Sequence, residues 1–190
     1  MNEFFYNILK RFLTWFGDLY FATSPPQCRA KQIITSLKLV KRGDVICRGY
    51  SYYLDSYFIP GEYSHSGIVI DDKGTMLHSV AEGVEEIHIM DFIKDTDRFI
   101  ILRFPGLNVN PFVKRGLQLF KKETEYDFTF SDPNKFYCHE FTVSCLELGG
   151  IKIWPSNKEF GVWPFNFNKK IFLAENLREI GQVVYEFNPS

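Results

Sequence analysis

Apolar positions along this chain follow two periods, and the change from one to the other divides it. From Phe5 to Phe16, the residues Phe5, Ile8, Leu9, Phe12, Leu13 and Phe16 recur at helical spacing, with Asn7, Lys10 and Arg11 between them. Such a stripe is the ordinary mark of a helix packed on its own domain. Ser24-Pro25-Pro26-Gln27 breaks the pattern, because proline fixes φ and removes a donor, and AKQIITSL then predicts a short second helix. Lys41-Arg42-Gly43 is a turn leading into DVICR. The period then shortens to two. HSGIVIDD, TMLHSVA, VEEIHIM and RFIILRF are β-branched or alternating runs, and four in close succession predict an antiparallel meander. Helical spacing returns from Pro111 to Lys122 and over CHEFTVSCLEL, Cys138 to Leu148, which Gly149-Gly150 ends as a C-cap. Beyond residue 150 the chain reads as an irregular covering segment, with a helix near Leu173 to Ile180 and a strand at VVYEF. The expected fold is α+β, an antiparallel sheet packed against helices. One domain is expected over residues 1–190: a core at about 40–150, a helical segment at 1–36 and a covering segment at 151–190.

Composition narrows the function classes. At 190 residues and 45% hydrophobic content, the chain supports one substantial core and is short for two domains. A net charge of -1 supplies no field to gather nucleic acid. Lys10 and Arg11 interrupt what a signal peptide would need as an apolar run, and no stretch reaches the roughly 18 apolar residues of a membrane span. A cytoplasmic protein is expected, with peripheral membrane contact through residues 1–20 as the alternative. The four cysteines, Cys28, Cys47, Cys138 and Cys145, form no CxxC pair and are expected as reduced thiols. No metal site is expected, since CxxC, HxxxH and HExxH are all missing, and no cofactor is implied.

The candidate chemistry is a thiol with imidazoles. Cys138 falls at the first turn of a predicted helix after a polar loop, where unpaired N–H groups favour the thiolate and the sulfur would reach solvent. Cys145, two turns deeper in an apolar pattern, reads as a small buried hydrophobe, and Cys28 and Cys47 as packing residues. His65 opens a strand, and His78 lies in the next strand across the turn Asp71-Asp72-Lys73-Gly74. With that turn as the hairpin centre, facing residues have numbers summing to about 145, so His78 falls opposite Gly67 and becomes the diagonal neighbour of His65 on one face. His65 is the candidate base and His78 its orienter, with Glu82 as the fallback. His139, one position after the nucleophile on a helix, is expected to point away from it as a surface or cap residue, and His88 is expected in solvent. Glu85-Glu86 and Asp71-Asp72 read as solvated pairs. Tyr53, Tyr63 and Tyr137 are the candidate substrate contacts. Tyr53 belongs to an aromatic cluster with Tyr50, Tyr52, Tyr57 and Phe58, of a kind that serves packing as often as binding.

The order RGDVI, YSHSGIVI, LHSVAEGV and FYCHEF, spanning about residues 40 to 150, resembles the YiiX/YebB-like permuted papain-fold amidases of the NlpC/P60 superfamily. The segment Tyr137-Cys138-His139-Glu140-Phe141 is also similar to the cysteine motif of lecithin:retinol acyltransferase-like proteins. The resemblance implies a circularly permuted papain-like fold with Cys138 as nucleophile, His65 as base and His78 as third polar residue. It departs from the first family at His78, where Glu is frequent, and at His139, where Ser or Thr is usual. It further implies an amide substrate, in a cell-wall peptide or a lipid-linked amino acid, so that the expected partner is a small peptide, an amino-acid amide or a lipid. A lipid acyltransferase or esterase, or a silent lipid- or peptide-binding module, is the alternative.

Overall fold

The computed structural model describes residues 7–8, 11–12, 15, 25–50, 61–162 and 165–189. In chain order these form α1 (Ala30–Leu39), β1 (Val45–Gly49), β2 (His65–Val69), β3 (Thr75–Val80), β4 (Gly83–His88), α2 (Ile89–Ile93), β5 (Arg98–Arg103), α3 (Val109–Lys121), α4 (Cys138–Leu148), β6 (Ser156–Val162), β7 (Phe165–Ile171), α5 (Ala174–Ile180) and β8 (Gln182–Phe187). Six strands make one antiparallel sheet in the order β4-β3-β2-β1-β5-β8, and β6 and β7 make a separate hairpin.

The β2–β3 hairpin has the register expected from its turn, with Gly67 opposite His78 and Ile68 opposite Leu77. Gly74, at φ +92°, supplies the left-handed residue that closes the turn. The four-strand meander does not hold. RFIILRF leaves it and pairs with β1 on one side and β8 on the other. The physical reason lies in its composition: Phe99, Ile100, Ile101 and Leu102 are all buried, as in a central strand covered on both faces, whereas β4 carries exposed glutamates suited to an edge. The residues beyond 150 are also more regular than expected. They contribute the β6–β7 hairpin, and β8 completes the main sheet.

Successive strand residues face opposite sides, so the sheet has two apolar faces. Val45, Ile68, Leu77 and Ile100 pack against Phe112 of α3 and Phe141 of α4. On the other face Ile46, Val69, Met76 and Ile101 pack against Phe92 and Ile93 of α2, with Ile33 and Leu37 of α1 alongside. Each such buried side chain contributes about 1.5–3 kcal/mol, so both faces hold the sheet. Gly116 lets α3 approach closely, since a Cβ there would lie 2.5 Å from Ile68 Cδ1.

Of the N-terminal stripe, Ile8 and Phe12 are exposed, while Phe5, Leu9, Leu13 and Phe16 lie outside the described residues. Among the described residues no helix is long and apolar enough to cross a membrane.

Candidate active site

The site is organised by the start of β2, where alternation sends His65 and Ser66 to opposite faces of the sheet. On the α2 face His65 Nε2 and His78 Nδ1 share a 2.8 Å hydrogen bond, so the pair expected from the register is formed. Both rings rest on Phe92, with centroids 5.6 and 5.4 Å from its ring. Arg48, opposite His65 in the β1–β2 register, sets its guanidinium 4.1 Å over the same phenyl ring. Across the next strand pair, His78 faces Glu85, and His78 Nε2 lies 3.0 Å from Glu85 Oε1, at ion-pair distance. Glu85 therefore does more than solvate an edge. The fallback orienter Glu82 is exposed in the β3–β4 turn.

These contacts set the charges. Burial holds the His65 imidazole well below its ordinary range, with Arg48, His78 and His139 adding to the effect. Burial also lowers His78, against the opposing pull of Glu85, and the contact with His78 lowers the Glu85 carboxyl. At neutral pH two neutral imidazoles stand beside an ionised carboxylate.

On the α4 face the polar contacts converge on Ser66. Its hydroxyl lies 2.9 Å from Thr142 Oγ1 and 2.8 Å from His139 Nδ1, and it donates to the Cys138 carbonyl at 3.3 Å. His139 is fully buried rather than a surface or cap residue. The helix turns its i+1 position onto β2, and burial holds the imidazole down at about 4. His88, expected in solvent, is half-buried and accepts from the Met90 N–H at the start of α2.

Cys138 is the first residue of α4, as expected, with Tyr137 at the N-cap. Its sulfur does not reach solvent: the residue is fully buried and packs with Ile171 and Leu173. The thiol donates to the Ser64 carbonyl at 3.7 Å, one residue before His65. Thiol and imidazole pair thus flank the start of β2 from its two faces. Cys28, Cys47 and Cys145 are buried packing residues, with burial pushing the Cys28 thiol up to about 11. Of the candidate substrate contacts, Tyr63 is buried and donates to Glu186 at 2.7 Å. Tyr137 is buried too, and its hydroxyl accepts from the Phe172 N–H at 2.6 Å. Tyr53 lies outside the described residues, as do Tyr52, Tyr57 and Phe58.

Glu85 was missed by sequence reasoning, although the signal was present. The turn after Val80 pairs His78 with Glu85 by the same register logic that paired Gly67 with His78.

Comparison with known proteins places this architecture. The crystal structure of the metalloprotein yiiX from Escherichia coli O157:H7 is similar, with a TM-score of 0.65 at 16% sequence identity, covering 80% of this chain and 99% of that one. That likeness is one of fold. Among the described residues of this chain, no group of three or more His, Cys, Asp or Glu converges to hold a metal ion. No curated protein matches the chain by sequence. A family profile described as "permuted papain-like amidase enzyme, YaeF/YiiX, C92 family" matches residues 39–176, from the end of α1 through β1–β5 and α4 into α5. With the histidine strands preceding the cysteine helix and the family pattern spanning both, this chain belongs to the permuted papain-like amidases.

Proposed function

We propose that the chain is an amide-cleaving cysteine hydrolase in which Cys138 is the nucleophile, His65 the base and His78 its orienter. Family membership supports an amidase or peptidase, and the observation that carries the residue assignment is the His65–His78 hydrogen bond next to Ser64, whose carbonyl accepts from the Cys138 thiol. In the reaction Cys138 Sγ gives its proton to His65 and attacks the amide carbon. The N–H groups at the start of α4 face the oxyanion, and His65 protonates the leaving amine. Water then attacks the thioester, with His65 taking its proton, and frees the acid and the thiol. Two movements are required for this reaction. Ile171 and Leu173 must uncover the thiol to admit an acyl group, and His65 must approach it round the Ser64 end of β2. Substrates of the proposed class are small peptides, amino-acid amides or lipid-linked amides, and the protein works in the cytoplasm.

A second reading is a silent binding module, favoured by one observation: the thiol is buried on the sheet face opposite the imidazole pair. The first is preferred because desolvated imidazoles are unfavourable to bury, and here they are ordered into a directed chain. The test is intact-mass analysis of the full chain incubated with a panel of aminoacyl and fatty-acyl amides. Turnover, with an acyl adduct on wild type that Cys138→Ser abolishes, supports the hydrolase. Neither adduct nor turnover, with binding retained, supports the module.

A further inference from the structure

Two neutral imidazoles joined by one hydrogen bond have two proton arrangements. Either His65 Nε2–H donates to His78 Nδ1, or His78 Nδ1–H donates to His65 Nε2. A neutral imidazole carries a single N–H, so each arrangement also fixes the outer nitrogens. In the first, His78 presents Nε2–H outward and His65 presents a bare Nδ1. In the second, His78 presents a lone pair outward and His65 carries Nδ1–H.

The group waiting outside His78 decides between them. Glu85 Oε1 lies 3.0 Å from His78 Nε2, and an ionised carboxylate only accepts. The second arrangement would set lone pair against carboxylate. We propose that Glu85 is a positioning residue that holds His78 as its Nε2–H tautomer, makes His65 Nε2 the donor of the shared bond, and leaves His65 Nδ1 as an open proton acceptor. The chain runs across three adjacent strands, from Glu85 on β4 through His78 on β3 to His65 on β2. The other charged or titratable groups acting on it are Arg48 from β1, on the same face, and His139 of α4, from the opposite face of β2. The Glu85 side chain is 50% exposed, so its removal leaves the core intact.

The catalytic consequence, a base in the correct form for the Cys138 proton, rests on the function proposed above; the tautomer does not. Nitrogen-15 NMR of the histidine side chains in the full chain at neutral pH, without substrate, reads it directly. Wild type is expected to carry the proton on Nε2 of both His65 and His78. Glu85→Gln, whose amide oxygen still accepts, keeps that pattern, and Glu85→Ala converts a large fraction of His78 to the Nδ1–H form. A wild-type protein with Nδ1–H on either residue, or a Glu85→Ala spectrum identical to wild type, overturns the inference. Site-resolved alkylation of Cys138 in the same samples reports on the functional reading alone, so the two fail separately.

Discussion

The two faces at the start of β2 handle polarity in opposite ways. On the α2 face, the His65 contacts run sideways across strands and end on Glu85, a half-exposed carboxylate. On the α4 face, the Ser66 contacts run to Thr142, His139 and the Cys138 carbonyl, and end in the core with no charge. A chain that reaches a charge at the surface can direct a proton. A set of buried neutral groups that reaches no charge ties α4 to β2. The difference separates two imidazoles that look alike in sequence, the proposed base His65 and His139, which ties α4 to β2.

Substitutions sharpen this contrast in order of size. Cys138→Ser is expected to lower amide turnover by roughly 10³-fold or more with the fold retained, measured by product formation beside circular dichroism. His139→Ala should lower stability by about 2–4 kcal/mol in denaturant titration, because it leaves a cavity and strips Ser66 of a partner. An exposed-site effect below 0.5 kcal/mol would break the assignment of His139 to the core.

Acid should act through the same residue. An imidazole with its folded pKa at about 4, below the ordinary 6.5, binds fewer protons folded than unfolded. Its contribution is fully present above pH 6.5 and is lost as the pH falls toward 4, by about 3 kcal/mol. His65, lowered by burial as well, adds in the same direction. Denaturant midpoints at pH 7 and pH 4.5 measure the loss, and His139→Ala should flatten it. The smallest effect belongs to Glu85→Ala, under about 1 kcal/mol of stability, since the Glu85 side chain is half-exposed and its neighbour His78 is neutral. A large destabilisation there would mean that the α2 face is built for packing too.

What could be read in the sequence was what local chemistry dictates. A short turn fixed the β2–β3 register, so the His65–His78 pair followed from counting. Helix α4 and its terminal glycine followed from period and cap. The partner of β5 did not, because its two neighbours, β1 and β8, lie far off in sequence and no turn encodes them. The β6–β7 hairpin escaped because its Asn-rich alternation resembles loop composition. The burial of His139 is not encoded locally, because the group it faces, Ser66, belongs to a distant strand. Burial of the thiol under Ile171 and Leu173 was hidden for the same reason.

Whether Cys138 and His65 act together is read from the rate at which iodoacetamide labels each cysteine near neutral pH, resolved by peptide mass spectrometry. Cys138 is expected to label far faster than Cys145, with His65→Ala slowing Cys138 selectively and His139→Ala leaving that rate unchanged in the folded fraction. Equal, slow labelling of both thiols, indifferent to His65, would contradict their acting together.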